Sequence, residues 1–247
     1  MINFKRKRRA YIIPILQMIR KILNILKKYA YPNYETPKSV YQIYVEDQNY
    51  QCFLHFKELL KSTLLLTTNK IRQHAIEEAI KNDISSEGYY LEFGVYSGAS
   101  IKFFSKYLIK NNIYGFDSFE GLKEHWFGTT VAKGTFDLKK KIPSLPKNVI
   151  PVAGWIQDTL QTFLNEKNPK INFVHIDVDT YETTKFILDL IKPRLVKGAT
   201  ILFDELYNFE GWDVGEYKAL TEIFNKNEYK FEAFAYDGRQ ALIRILN

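Results

Sequence analysis

The sequence predicts an α/β protein: a doubly wound, mostly parallel sheet with a C-terminal antiparallel hairpin and an N-terminal helical extension. Three observations lead there. Apolar runs at 89–93, 113–116, 149–152, 171–176 and 199–203 each stop at Gly, Asp or another polar residue. Helix-like segments at 100–110, 159–166 and 183–196 separate most of them. Two late runs, 230–235 and 240–246, flank Tyr236-Asp237-Gly238-Arg239, and Asp-Gly between apolar runs signals a hairpin. Strands joined by crossover helices form a parallel sheet, and the hairpin adds an antiparallel edge.

The chain starts differently. Nine of its 35 cations lie in residues 1–30, which hold no acid, so the other 217 residues carry 26 cations against 28 acids. The formal charge of +7 therefore belongs to a tail. In that tail Ile12, Ile15, Leu16, Ile19, Ile22, Leu23 and Leu26 recur at helical spacing, opposite Arg20, Lys21, Lys27 and Lys28. The pattern predicts a cationic amphipathic helix. Its longest uncharged run has ten residues, too short to span a bilayer, and no clear cleavage site follows it. Two readings stay open: a helix lying on an anionic membrane surface, or one packed on the body or on a second subunit. The slightly acidic body offers no continuing basic surface, which argues against nucleic acid as a partner. The single cysteine, Cys52, excludes a disulfide framework and a four-cysteine zinc site.

Three segments are expected: the basic helix at 1–30, a connector and helical cap at 31–69, and the main domain at 70–247. Residues 31–50 read as an irregular connector with Pro32 and Pro37. Residues 53–66 read as helical, and residues 68–82 as a clearer helix with Ile71, Ala75, Ala79 and Ile80 apolar.

In a doubly wound sheet, ligands bind beyond the carboxyl ends of the strands. The first run enters LEFGVYSGAS, where Gly94 and Gly98 allow close backbone approach to a ligand. The second ends at Asp117, about 23 residues after Gly94, placed to accept from a ribose diol or to form a turn. The third leads to Trp155, Gln157 and Asp158, a polar and aromatic neighbourhood for an adenine; Asp158 reads equally as a helix N-cap. The fourth gives His175-Ile176-Asp177-Val178-Asp179 and the fifth Phe203-Asp204-Glu205. Adjacent strand ends would bring Asp177, Asp204 and Glu205 together. Clustered carboxylates repel, and a hard divalent cation such as Mg²⁺ is the natural compensation. His175 reads as a satisfied core histidine, with a place in the lining of the site as the alternative.

The segments LEFGVYSGAS, GFDSFEGL, HIDVDTYETT and LFDE, in this order, resemble the class I S-adenosylmethionine-dependent methyltransferases. More narrowly, they are similar to the macrocin/mycinamicin/novobiocin-sugar O-methyltransferases, over roughly residues 70–246. The resemblance implies a Rossmann-like, seven-stranded sheet, adenosylmethionine as donor and a divalent metal that holds a sugar hydroxyl. It implies a cofactor site of Glu92, Gly94, Tyr96, Gly98, Ser100, Asp117, Ser118, Gln157, Asp158 and Asp177. Asp177, Asp204 and Glu205 would be metal ligands. Asp179 would be the general base or an added ligand, with Asp177 beside it in catalysis. Two departures stand out: Tyr96 where many relatives carry glycine, and Asp204-Glu205 where the family often has Asp-Asp.

Residues 123–147, with Trp126, Phe127 and Phe136, are expected to form a lid or acceptor wall, and residues 207–217, with Trp212, a second wall. The expected function is methylation of a sugar hydroxyl in glycan or natural-product glycoside biosynthesis, by a cytoplasmic enzyme, peripheral at the inner membrane face. Homo-oligomers are in keeping with the related enzymes. A phenolic or other small-metabolite acceptor, and a non-catalytic membrane-associated binding protein, are the competing readings.

Overall fold

The computed structural model describes residues 18–19, 21–23, 25–26 and 37–247, and the described residues before 37 are helical. The KRKRR cluster, most of the other tail cations and residues 31–36 lie outside the described residues. Among those described, no helix is long and apolar enough to cross a membrane. The chain divides into two compact units, 1–43 and 44–247.

The expected connector is helix from residue 40 onward. Helix α1 spans Val40–Ser62. It opens with a reciprocal cap: the Ser39 N–H donates to Gln42 Oε1 (2.8 Å) and the Gln42 N–H to Ser39 Oγ (3.2 Å). Only Cys52 and Phe56 of α1 are buried, so no apolar stripe announces it. The helix stops at Ser62, and Leu64–Leu66 forms a short strand, β1, where the sequence reading continued the helix.

The remaining elements are α2 (Thr68–Asn82), β2 (Tyr89–Phe93), α3 (Ala99–Ser105), β3 (Ile113–Asp117), β4 (Val149–Ala153), α4 (Ile156–Lys167), β5 (Ile171–Ile176), α5 (Tyr181–Ile191), β6 (Leu195–Phe203), α6 (Glu216–Ile223), β7 (Tyr229–Ala235) and β8 (Ala241–Ile245). Helix α2 is capped by the Thr67 hydroxyl, which accepts from the Lys70 N–H at 3.3 Å. Helix α3 is shorter than the expected 100–110.

The sheet order is β1-β7-β8-β6-β5-β2-β3-β4, with β8 antiparallel to both neighbours and every other pair parallel. Among the described residues the sheet has eight strands rather than seven, because β1 adds a parallel edge beside β7. Its three-residue pairing partner lies some 170 residues away, which local pattern cannot reveal. Alternation splits the core in two. Leu91, Phe93, Val174 and Ile176 face one cluster, with Leu160 and Phe163 of α4 and Ile187 and Leu188 of α5. Tyr90 and Phe173 face the other, with Ile71 and Ala75 of α2 and Phe104 of α3.

The order reverses at β2, which lies between β3 and β5. Phe93 pairs with Phe116 and with Ile176, and Ile176 with Phe203. The next residues, Gly94, Asp117, Asp177 and Asp204, therefore stand level across four strand ends. That row is the switch-point crevice where doubly wound sheets bind ligands.

Candidate active site

A cavity of about 430 Å³ opens above this row, lined by Gly94, Asp117, Gln157, Asp177, Asp179 and Glu205 among others. Its floor at β2 is a glycine turn. Gly94 has φ +87°, and a Cβ there would collide with the Asp177 carbonyl oxygen. Only a bare backbone lets β2 and β5 stay level at this point. Gly94→Ala combines overpacking with a left-handed backbone and should cost about 1–3 kcal/mol. A lower melting temperature together with weaker cofactor affinity is the expected result. Tyr96, in the place of the middle glycine, also has positive φ (46°); its ring lies 5.4 Å from that of Phe136.

Asp117 lines the cavity and fixes the same turn. Its Oδ2 accepts from the Val95 and Tyr96 N–H groups (2.8 and 2.7 Å), and its Oδ1 from Phe119 N–H (2.6 Å). It thus forms the turn and presents its carboxylate at the cavity wall. Ser118 also lines the wall. On α4, Gln157 faces the cavity beside Trp155, and its buried Oε1 has no hydrogen-bond partner. Asp158 lies in the first turn of α4, whose N-cap residue is Trp155, and it does not line the cavity.

Glu92, Gly98 and Ser100 stand behind the wall rather than on it. The Ser100 hydroxyl donates to Glu92 Oε1 at 2.8 Å. The other Glu92 oxygen lies 3.3 Å from His175 Nδ1, and His175 Nε2 lies 3.3 Å from Asp204 Oδ1. Arg72 of α2 donates to that same Asp204 oxygen at 2.8 Å. The chain Ser100–Glu92–His175–Asp204–Arg72 therefore ties α3, β2, β5, the end of β6 and α2 together. Burial pulls the His175 imidazole down, but Asp204 and Glu92 outweigh it and push it up to about 10. Burial likewise opposes the charged form of Asp204, yet His175 and Arg72 hold its carboxyl well below the usual carboxylate range.

The other acids face the cavity. Ligand atoms of Asp177, Asp179 and Glu205 lie within 4.8 Å of one another, as do those of His175, Asp177 and Asp204. Among the described residues these two groups share Asp177, and the set Asp177, Asp204 and Glu205 is not gathered as one. Burial first, then neighbouring carboxylates, raises Asp177 and Glu205 well above their ordinary range. Burial and Asp204 push Asp179 up to about 7, against a lowering pull from Arg239. Behind them Glu216 of α6, fully buried, accepts from the Glu205 N–H at 3.0 Å. Glu205 Oε2 and Glu216 Oε1 are buried without a partner. Such a set of oxygens fits a hard divalent cation.

Sequence reasoning missed Arg72, Glu216 and Arg239. Arg72 carried a signal: it sits three, four and seven residues before the buried Ala75, Ile76 and Ala79, and a charge on an apolar helix face implies a buried acid partner. Of the two expected walls, Lys123, Trp126 and Phe136 line the cavity, whereas Trp212 is buried against His55 and Phe56 and serves packing.

Residues 91–206 match a family described as a methyltransferase domain. The chain resembles the crystal structure of CalS11, a calicheamicin methyltransferase, at 20% identity over 85% of this chain and 94% of that one, with a TM-score of 0.58. The apo structure of CalS11, there described as a TDP-rhamnose 3′-O-methyltransferase of calicheamicin biosynthesis, matches over 85% and 96% at 20% identity with a TM-score of 0.52. The O-methyltransferase NovP matches at 18% identity over 72% of this chain and 79% of its own, with a TM-score of 0.53. At these identities the likeness is one of fold. No curated protein matches the chain.

Proposed function

We propose that this chain is an S-adenosylmethionine-dependent methyltransferase that transfers the methyl group to a sugar hydroxyl with the help of a divalent cation. The observation that carries the reading is the row of strand ends. It lines one cavity with Asp117 and Gln157 on the β3–β4 side, with Asp179 and Glu205 on the β5–β6 side, and with Gly94 and Asp177 adjoining between them. The first side suits the donor. Gly94 admits it closely, Asp117 stands by the ribose, and the unpartnered Gln157 Oε1 can accept from an adenine amino group. The second side suits the acceptor.

The reaction is a displacement at the sulfonium methyl, and a neutral alcohol is a weak nucleophile. Asp179 takes the hydroxyl proton at its carboxylate as the oxygen attacks. Trp126 and Phe136 line the cavity with apolar surface, which disfavours water beside the methyl group. A cation such as Mg²⁺, held by Asp177 and Glu205 with Asp179 adjacent, would lower the hydroxyl pKa and orient the oxygen. The acceptor is a glycan or a natural-product glycoside.

Calorimetry with adenosylmethionine, combined with a methyl-transfer screen over nucleotide sugars and lipid-linked glycans, tests this. Donor binding should survive EDTA, whereas transfer should fall at least about tenfold and return with Mg²⁺. A protein that binds no adenosylmethionine would refute the enzyme reading, and transfer indifferent to EDTA would remove the metal from it.

A further inference from the structure

We infer that Arg239 anchors an anionic group, a phosphate or a carboxylate, on the methyl acceptor. The inference rests on the acceptor end assigned above. Arg239 belongs to the turn between β7 and β8, and its main chain is fixed there. Its carbonyl accepts from the Leu206 and Tyr207 N–H groups (3.1 and 3.3 Å), and its own N–H donates to Gln240 Oε1 (3.2 Å). These bonds lock the turn to the segment that follows β6 and carries Glu205.

The side chain is half-buried and lines the cavity. Its guanidinium lies 5.1 Å from the Phe209 ring and 5.9 Å from the Trp126 ring. The other described arginines have polar partners. Arg72 pairs with Asp204, Arg244 with Glu78 and Glu232, and Arg194 donates to Asn168. Among the described residues Arg239 has no carboxylate within 4.0 Å and no side-chain hydrogen bond, although its charge reaches Asp179. A guanidinium lying against two adjoining rings, with its five donors unused in a ligand cavity, is prepared for an anion it can grip with paired N–H groups.

Sheet order says which ligand brings that anion. The β7–β8 turn adjoins β6, whereas the donor end lies across β5 at β2, β3 and β4. Arg239 therefore faces the acceptor, close to the carboxylates around the reacting hydroxyl. Those carboxylates would repel an anionic acceptor approaching without a cation opposite them. Arg239 supplies that cation and fixes which way the sugar enters.

Calorimetry on the full chain saturated with S-adenosylhomocysteine tests this with three probes: TDP-rhamnose, the methyl glycoside of glucuronic acid and the neutral methyl rhamnoside. At least one charged probe should bind more tightly than the neutral one. Arg239→Gln should weaken that probe tenfold or more and Arg239→Lys recover part of the loss, with methyl rhamnoside and S-adenosylhomocysteine affinities unchanged within twofold. The two charged arms tell a diphosphate from a uronate. The inference is overturned if charged probes bind no better than the neutral one, or if Arg239→Gln leaves them within twofold. It is overturned as well if the variant loses S-adenosylhomocysteine affinity instead, which would assign Arg239 to the donor. A wild-type chain that fails to bind S-adenosylhomocysteine refutes the methyltransferase reading itself, a separate result.

Discussion

Asp179→Asn is expected to lower methyl transfer by about two to four orders of magnitude, the usual contribution of a positioned base, while adenosylmethionine affinity stays within about twofold. The residue is nearly buried, lines the cavity and sits among the acids at the acceptor end. Its backbone is strained: φ is 64°, and the Thr180 N–H closes a three-residue turn onto the Val178 carbonyl at 2.7 Å. A short turn of this kind holds the carboxylate still against the strand end, and such strain gathers where geometry serves function. Asparagine is among the few residues that tolerate left-handed backbone, so the substitution keeps the turn and the side-chain shape. What it removes is the capacity to take a proton and one negative charge. The carboxyl, pushed up to about 7, is largely ionised only above that pH, so wild-type turnover should decline as pH falls below about 7. In the variant that acid limb should vanish from whatever rate remains. A variant with near-normal turnover would end the base assignment, and lost donor binding would point to a collapsed turn instead.

The elements that carry chemistry are the ones local pattern reaches. Each strand end pairs an apolar run with a sudden Gly or Asp, and that contrast survives without knowledge of the neighbours. Gly94, Asp117 and Asp177 could be placed on one level because parallel strands that run to their carboxyl ends share a crevice. What escaped depended on distant partners. β1 exists only because β7 offers an edge, and α1 hides two residues in 23. The acidic cluster was legible as a cluster but not in its division. Asp204 points to the side of the sheet that α2 covers, where Arg72 waits, and Glu205 points to the cavity. Alternation along β6 predicts opposite sides for consecutive residues, whereas the identity of the Asp204 partner comes from a helix more than a hundred residues away. Arg239 looked like part of a hairpin turn, and it is one; its second role arises because that hairpin folds back beside β6.

Asp204→Ala is expected to destabilise the fold by about 3–5 kcal/mol, the usual consequence of removing one member of a buried ion pair. The carboxylate is shared by Arg72 at 2.8 Å and the fully buried His175 at 3.3 Å. Without it two cations are left in the interior, with Glu92 and Asp177 as the nearest remaining acids. For a domain of this size the loss corresponds to a melting temperature lower by roughly 10 °C. The pH dependence gives a second readout. His175 is raised to about 10, so its pairing contributes fully below its ordinary value near 6.5 and is lost as pH rises through about 10. Asp204 is depressed, so its contribution is present above its ordinary value near 3.8 and is lost as pH falls towards its lowered one. The variant should lose the acid slope and, with only Glu92 left to raise His175, show a flatter alkaline limb of stability between about pH 7 and 10. In a double-mutant cycle, Arg72→Ala and Asp204→Ala should be non-additive by at least about 1 kcal/mol, since each removes the same contact. An Asp204 that served chiefly as a metal ligand would behave otherwise. Its alanine variant would keep the melting temperature measured in EDTA and lose only the increment that Mg²⁺ adds. The metal-free melting temperature thus separates a clamp behind the site from a ligand within it.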